Sequence, residues 1–226
     1  MLRRIITPKL CVGLTGLYLG LAFVIWSHES SQAPFPPEAK PQQGSRIVNE
    51  LVGETIVILQ SETASNGWTS KIEVYLEPQG TVPFSHIHQG YTEIFEVLEG
   101  QLSVELDGAV SVVGAGQAFE VREGTSHVPA NPFESPARFR VTVSGIKNFT
   151  TCLGQIHQRL GDKNASWLVR HLRVGRIASA CDIYVSTIPW WFQSLGMALS
   201  APILELAGFP VYEPMVNVSP KESNNE

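Results

Sequence analysis

The chain has 226 residues, 43% of them hydrophobic, and a formal net charge of −5, which fits one globular domain of ordinary size with attachments. Charge is uneven: residues 1–44 carry a balance of +2, residues 45–150 hold six Lys/Arg against thirteen Asp/Glu, and residues 151–226 are balanced. An acidic central domain excludes nucleic acid as a partner, because that partner needs a basic footprint.

At the N-terminus Arg3, Arg4 and Lys9 precede an uncharged run from Leu10 to Trp26. The run sits at the lower edge of the length needed to cross a bilayer, and Trp26 lies where an interfacial aromatic belongs. Residues 1–27 are therefore expected to be a single-pass signal-anchor. The basic flank puts the N-terminus in the cytosol and the rest of the chain on the lumenal or extracellular side. Cleavage as a secretory signal is the rival reading. Gly16 and Gly20 have the small-residue spacing of packed membrane helices. Residues 28–48, rich in Pro, Ser and Gln, read as an extended linker.

Residues 49–147 read as short strands broken by turns. Thr55–Leu59 is a continuous apolar strand, and Lys71–Glu77 alternates, with Ile72, Val74 and Leu76 facing inward. Gln101–Leu106 and Ala109–Val113 flank Asp107-Gly108, a two-residue hairpin signal, and Arg138–Ser144 alternates again. This density of strands predicts a sandwich or barrel.

Within that region the segment from Gly80 to Asn131 carries the chemistry. Thr81–His88 has strand composition, so His86 and His88 project to one face. The Gln89-Gly90 stretch reverses the chain into Thr92–Leu98 as a hairpin, bringing Glu93 back alongside them, with Phe95 and Val97 on the same face as an apolar wall. Gly116 opens a further strand, Gly124 permits a turn, and His127 follows on the next strand. Three imidazoles and one carboxylate suit Fe, Mn, Ni, Cu or Zn and leave two positions open on a six-coordinate ion. Glu73 and Tyr75 are assigned no catalytic role, because their strand is expected to turn its other face inward.

These two stretches resemble the paired motifs of the cupin superfamily: Gly80, His86, His88, Glu93 and Gly100 in the first, Gly116, Gly124, His127 and Asn131 in the second. Arg122 stands where the family usually has proline. The resemblance covers about residues 50–145. It implies a mainly β fold, a double-stranded jelly-roll barrel with His86, His88, Glu93 and His127 in its mouth, and pairing as a homodimer. The expected function is a membrane-tethered, metal-dependent oxidoreductase of the dioxygenase kind, with Fe(II) favoured, acting on a small hydrophobic organic substrate. The alternatives are a redox-neutral isomerase, cyclase or decarboxylase, and a non-catalytic metal- or ligand-binding module.

After Gly145 the pattern turns helical, and residues 148–218 read as a helical, apolar extension. Ala165–Val185 places Trp167, Leu168, Leu172, Val174 and Ile177 among arginines, as a helix capping the barrel, packing on its outer sheet or facing lipid. Ile188–Tyr212 is mostly apolar, with Pro202 expected to interrupt it; interfacial helices, a dimer interface and a lid over the barrel all fit. Cys152 and Cys181 form a disulfide or remain buried thiols. Asn148, Asn164 and Asn217 sit in glycosylation triplets. Residues 219–226 read as a polar tail.

Overall fold

The computed structural model describes residues 8–30, 35–63, 68–178 and 180–215. Among the described residues eleven strands form two antiparallel sheets. One sheet has six strands in the order β1 (Arg46–Asn49), β2 (Glu54–Thr63), β3 (Thr69–Leu76), β10 (Ala137–Ser144), β5 (Thr92–Glu99) and β8 (Ala118–Val121). The other has five, in the order β11 (Tyr184–Val185), β4 (His86–Ile87), β9 (His127–Ala130), β6 (Gln101–Leu106) and β7 (Ala109–Gly114). The fold is mainly β, and the two facing sheets are those of a jelly-roll.

Alternation within the strands builds the interior. In β3 Ile72, Val74 and Leu76 are buried, in β10 Phe139, Val141 and Val143, and in β5 Phe95 and Val97. These side chains join Ile56, Ile58, Leu102, Val104 and Val121 in one core, each contributing roughly 1.5–3 kcal/mol by burial. The Asp107-Gly108 hairpin forms as expected, with φ of 47° and 82° at its two central residues. That is the left-handed turn which suits the twist of the flanking strands.

The described residues also form four α-helices: α1 (Pro8–Ser30), α2 (Phe149–Leu160), α3 (Trp167–Ala178) and α4 (Trp190–Leu206). A second, smaller core joins Phe35 and Ala39 to Cys152, Ile156, Val174, Ile177 and Cys181, and a disulfide links Cys152 to Cys181.

Several expectations are corrected here. The linker 28–48 is not wholly extended: residues 28–30 end α1, Pro37–Ala39 forms a short 3-10 turn, and Arg46–Asn49 pairs with β2. Its apolar residues Phe35 and Ala39 have a core to enter, which composition alone hides. α3 is shorter than the segment read from the sequence and buries Val174, Arg176 and Ile177, while Trp167 and Leu168 are exposed. It docks through its C-terminal half, beside the disulfide, and Arg176 reaches Glu205 of α4 at 2.7 Å. Pro202 does not interrupt α4; it and Ala201 are that helix's buried residues, so packing offsets the backbone hydrogen bond that proline loses.

α1 forms where the apolar run lies and packs on α4. Among the described residues no helix is long and apolar enough to cross a membrane, so the expected transmembrane helix has no support there. Of the three glycosylation triplets, Asn164 is exposed, Asn217 lies outside the described residues, and Asn148 is buried. Asn148 precedes α2 without capping it through its side chain. Glu62 accepts instead from the Thr150 amide at 2.5 Å and the Thr150 hydroxyl at 2.8 Å. The first triplet is therefore folded into a helix start. The tail 219–226 also lies outside the described residues.

Candidate metal centre

The expected hairpin through Gln89-Gly90 does not form. β4 is only two residues long and belongs to one sheet, whereas β5 belongs to the other. The turn carries the chain across the interior, so His86 and Glu93 face each other from opposite walls. The third group comes from strand pairing: His86 and His127 are direct partners in the β4–β9 register, with ring centroids 4.2 Å apart.

His86, Glu93 and His127 each present one ligand atom, and these atoms all lie within 4.8 Å of one another. The two imidazoles are oriented by the backbone. His86 Nδ1 lies 3.0 Å from the Phe84 carbonyl and His127 Nδ1 lies 3.1 Å from the Thr125 carbonyl, an arrangement in which Nδ1–H donates and Nε2 is left to face the centre.

His88, the fourth expected ligand, sits beside the triad. It is fully buried, stacks on Tyr91 with ring centroids 3.9 Å apart, and places Nε2 3.3 Å from Glu93 Oε2. His127 Nε2 is 3.1 Å from the same oxygen. Neither approach has hydrogen-bond geometry, so both nitrogens of His88 and Nε2 of His127 are buried without a hydrogen bond among the described residues. Buried polar atoms are normally satisfied, and convergent unsatisfied imidazoles around a carboxylate fit a divalent metal. Iron, manganese, nickel, zinc and copper all accept this donor set.

Electrostatics agree with that use. Burial, with the charge of His127, pushes the His86 imidazole down to about 3, so it stays neutral and free to coordinate. Burial works to raise the Glu93 carboxyl, but the adjoining His127 and His88 outweigh it and hold Glu93 well below the usual carboxylate range. Burial works to lower His127, and Glu93 outweighs it, so His127 is raised. A carboxylate against an imidazole that holds its proton is a site whose positive charge a metal ion can replace.

The centre opens on a cavity of about 70 Å³ walled by Ile72, Val74, Phe95, Phe139 and Val141. The cavity confirms the expected role for Phe95; Val97 is buried on the same face but does not line it. Glu73 and Tyr75 lie away from the centre. Their side chains bond each other at 2.5 Å, and Arg138 donates to Glu73 at 3.2 Å.

Two residues and one strand that shape the centre were missed. Tyr91 had a signal, because it continues the buried alternation of Glu93, Phe95 and Val97. Asp182 had none: it lies beyond the second motif, yet accepts from the Gln89 and Gly90 amides at 2.9 and 2.6 Å and so fixes the crossing turn. β11 likewise comes from the C-terminal extension and pairs with β4. Asn131 is structural, its amide donating to the carbonyls of Leu76, Glu77 and Ser135. Arg122 is exposed beside Glu120.

The family profile described as a cupin domain matches residues 72–144. No curated protein matches the chain. Similar solved structures include a sugar phosphate isomerase from a cupin superfamily from Silicibacter pomeroyi, 23% identical over 42% of this chain and 60% of that chain, TM-score 0.37. A predicted oxalate decarboxylase from Thermotoga maritima is 23% identical over 47% of this chain and 93% of that one, TM-score 0.41. The Schizosaccharomyces pombe Cnp3 cupin domain is 16% identical over 50% and 75%, TM-score 0.38. The matched residues hold every member of the triad, and residues 72–144 are a cupin domain.

Proposed function

We propose that the chain is a metal-dependent cupin enzyme, an oxidoreductase acting on a small, largely apolar organic substrate. The observation that supports this reading is the cluster of two histidines and one carboxylate at the edge of an apolar cavity. That ligand combination, with positions left open, is the one that serves non-haem Fe(II) oxygenases. His86, Glu93 and His127 would hold the ion, with His88 beside them. Bound there, iron would supply redox chemistry toward dioxygen and substrate. The protein's own part is positional: the Phe84 and Thr125 carbonyls fix the imidazoles, and Phe95, Phe139 and Val141 exclude water from the substrate side.

The test is oxygen consumption by iron-loaded protein against a panel of small organic substrates, with the His127→Ala variant as control. Uptake that depends on His127 supports the oxidoreductase. Turnover without oxygen uptake would replace it with a redox-neutral isomerase or decarboxylase using the metal as a Lewis acid. Metal binding without any turnover would leave a binding module.

Two properties complete the proposal. The first is attachment to a membrane, with the cupin domain on the lumenal or extracellular side. What supports it is the uncharged run Leu10–Trp26, the exposed Leu14, Leu17 and Phe23 of α1 and Trp190, Trp191 and Phe192 of α4, and a disulfide, which persists in oxidising compartments. Retention of the full chain in the membrane pellet after alkaline carbonate washing supports attachment, and release into the supernatant refutes it. The second is homodimerisation, read out as mass by light scattering.

A further inference from the structure

The triad is not the only polar group that lines the cavity. Opposite in sequence to the triad's motifs, Glu54 of β2 and His157 of α2 also line it, with Glu54 Oε2 3.2 Å from His157 Nδ1. Both residues are 4% exposed. Neither of these two atoms has a hydrogen bond to any group among the described residues. Apart from the triad and Tyr91, the other lining side chains, from Ile56 and Ile72 to Phe149 and Leu153, are apolar. Two buried polar side chains, each with one atom lacking a hydrogen bond, are costly to fold in such a wall, and a hydrophobic pair of similar volume would be the more stable filling. Their presence therefore points to a ligand.

Burial alone pushes the Glu54 carboxyl up to about 8 and the His157 imidazole down to about 4. At neutral pH both are uncharged, so the pair is a neutral contact and Glu54 carries an O–H to donate.

We propose that Glu54, positioned by His157, is the hydrogen-bond donor for the far end of a ligand held at its near end by the triad. The inference rests on the metal reading of the triad. It also narrows the substrate class: a short carbon chain, apolar only along the part that the cavity walls cover, with a carboxylate for the metal at one end and a carbonyl oxygen for Glu54 at the other. The cavity of about 70 Å³ is far below the roughly 300–1,000 Å³ of ordinary ligand sites, which restricts the chain to a few carbons. His157 acts through Glu54: with a ligand bound, Nδ1–H donates to Glu54 Oε2, 3.2 Å away in this structure, and the O–H on the other carboxyl oxygen is left for the ligand.

The test uses metal-loaded protein and three keto acids (pyruvate, acetoacetate and 4-oxopentanoate), each titrated by calorimetry against the alkanoate of equal chain length. One keto acid is expected to bind about tenfold more tightly than its alkanoate, since a good hydrogen bond is worth about that factor. Glu54→Leu should erase the preference, and Glu54→Gln, which still donates through its amide, should restore most of it. Metal content measured on the same samples separates the two claims. A wild type that holds no metal overturns the triad and this inference together. Full metal with the same keto preference in Glu54→Leu, or no preference in the wild type, overturns this inference alone. Infrared spectroscopy of the wild type gives a check that needs no folded leucine variant. A protonated-carboxyl band at pH 7 that Glu54→Gln removes supports the donor, and absence of that band contradicts it.

Discussion

At the residue scale the centre depends on which imidazoles keep their protons. In the metal-free protein His127 is raised by Glu93, so a metal must displace a proton to use Nε2. Metal affinity should accordingly rise with pH through the raised His127 value and be accompanied by proton release, measured by calorimetry in buffers of different ionisation enthalpy. Glu93→Gln leaves shape but removes the charge that favours a cation, and is expected to weaken metal binding by at least tenfold, read by competition with a chelating dye. The Glu54–His157 pair makes a separate prediction on stability. Glu54 is raised from an unfolded value of about 4.3 to about 8, so its contribution is complete at low pH and is lost as pH rises through that window. His157 is lowered from about 6.5 to about 4, so its contribution is present above 6.5 and lost as pH falls. Between about pH 6.5 and 8 only Glu54 of this pair changes, at up to about 1.4 kcal/mol per pH unit. The melting temperature of metal-free protein should fall across that range, and Glu54→Gln should flatten the fall.

At the element scale the site is held together by parts from outside the matched family region. Asp182 bonds the two amides of the crossing turn, and β11 pairs with β4 where His86 sits. Asp182→Ala is expected to reduce metal affinity about 10–100-fold, the usual cost of losing a group that orients ligands, with the fold retained by circular dichroism. The disulfide closes a loop of 29 residues. In the chain-entropy account Cys152→Ala should lower stability by about 3–4 kcal/mol, measured by denaturant unfolding against the oxidised wild type. The strands of the barrel were legible in the sequence because period-two burial is a local signal: Ile72, Val74 and Leu76 bury as their alternation requires. The partner of each strand was not legible. Nothing local says that β4 and β5 lie in different sheets, and so a hairpin was expected where a crossing exists.

At the scale of the whole molecule, His86, Glu93 and His127 could be picked out because their spacing records the way two strands and one turn converge on a single point. His88 obeys the same spacing, and it stacks on Tyr91 with Nε2 3.3 Å from Glu93 Oε2, a packing outcome that residue types alone do not specify. Glu54 and His157 were invisible, since one precedes the motifs and the other lies on a helix that follows the domain. Arg159 makes the same point for stability. It is fully buried in α2, its guanidinium donating to the carbonyls of Pro210 and Val211 at 3.3 and 2.8 Å, and thus joins the end of the chain to its middle. Elemental analysis of protein purified without chelator tests the triad as a metal centre most directly. The wild type should carry about one equivalent of a divalent transition metal, iron for the oxidoreductase, and both His86→Ala and His127→Ala should lose it. Folded wild type without metal, or variants that keep their metal, would contradict the central claim.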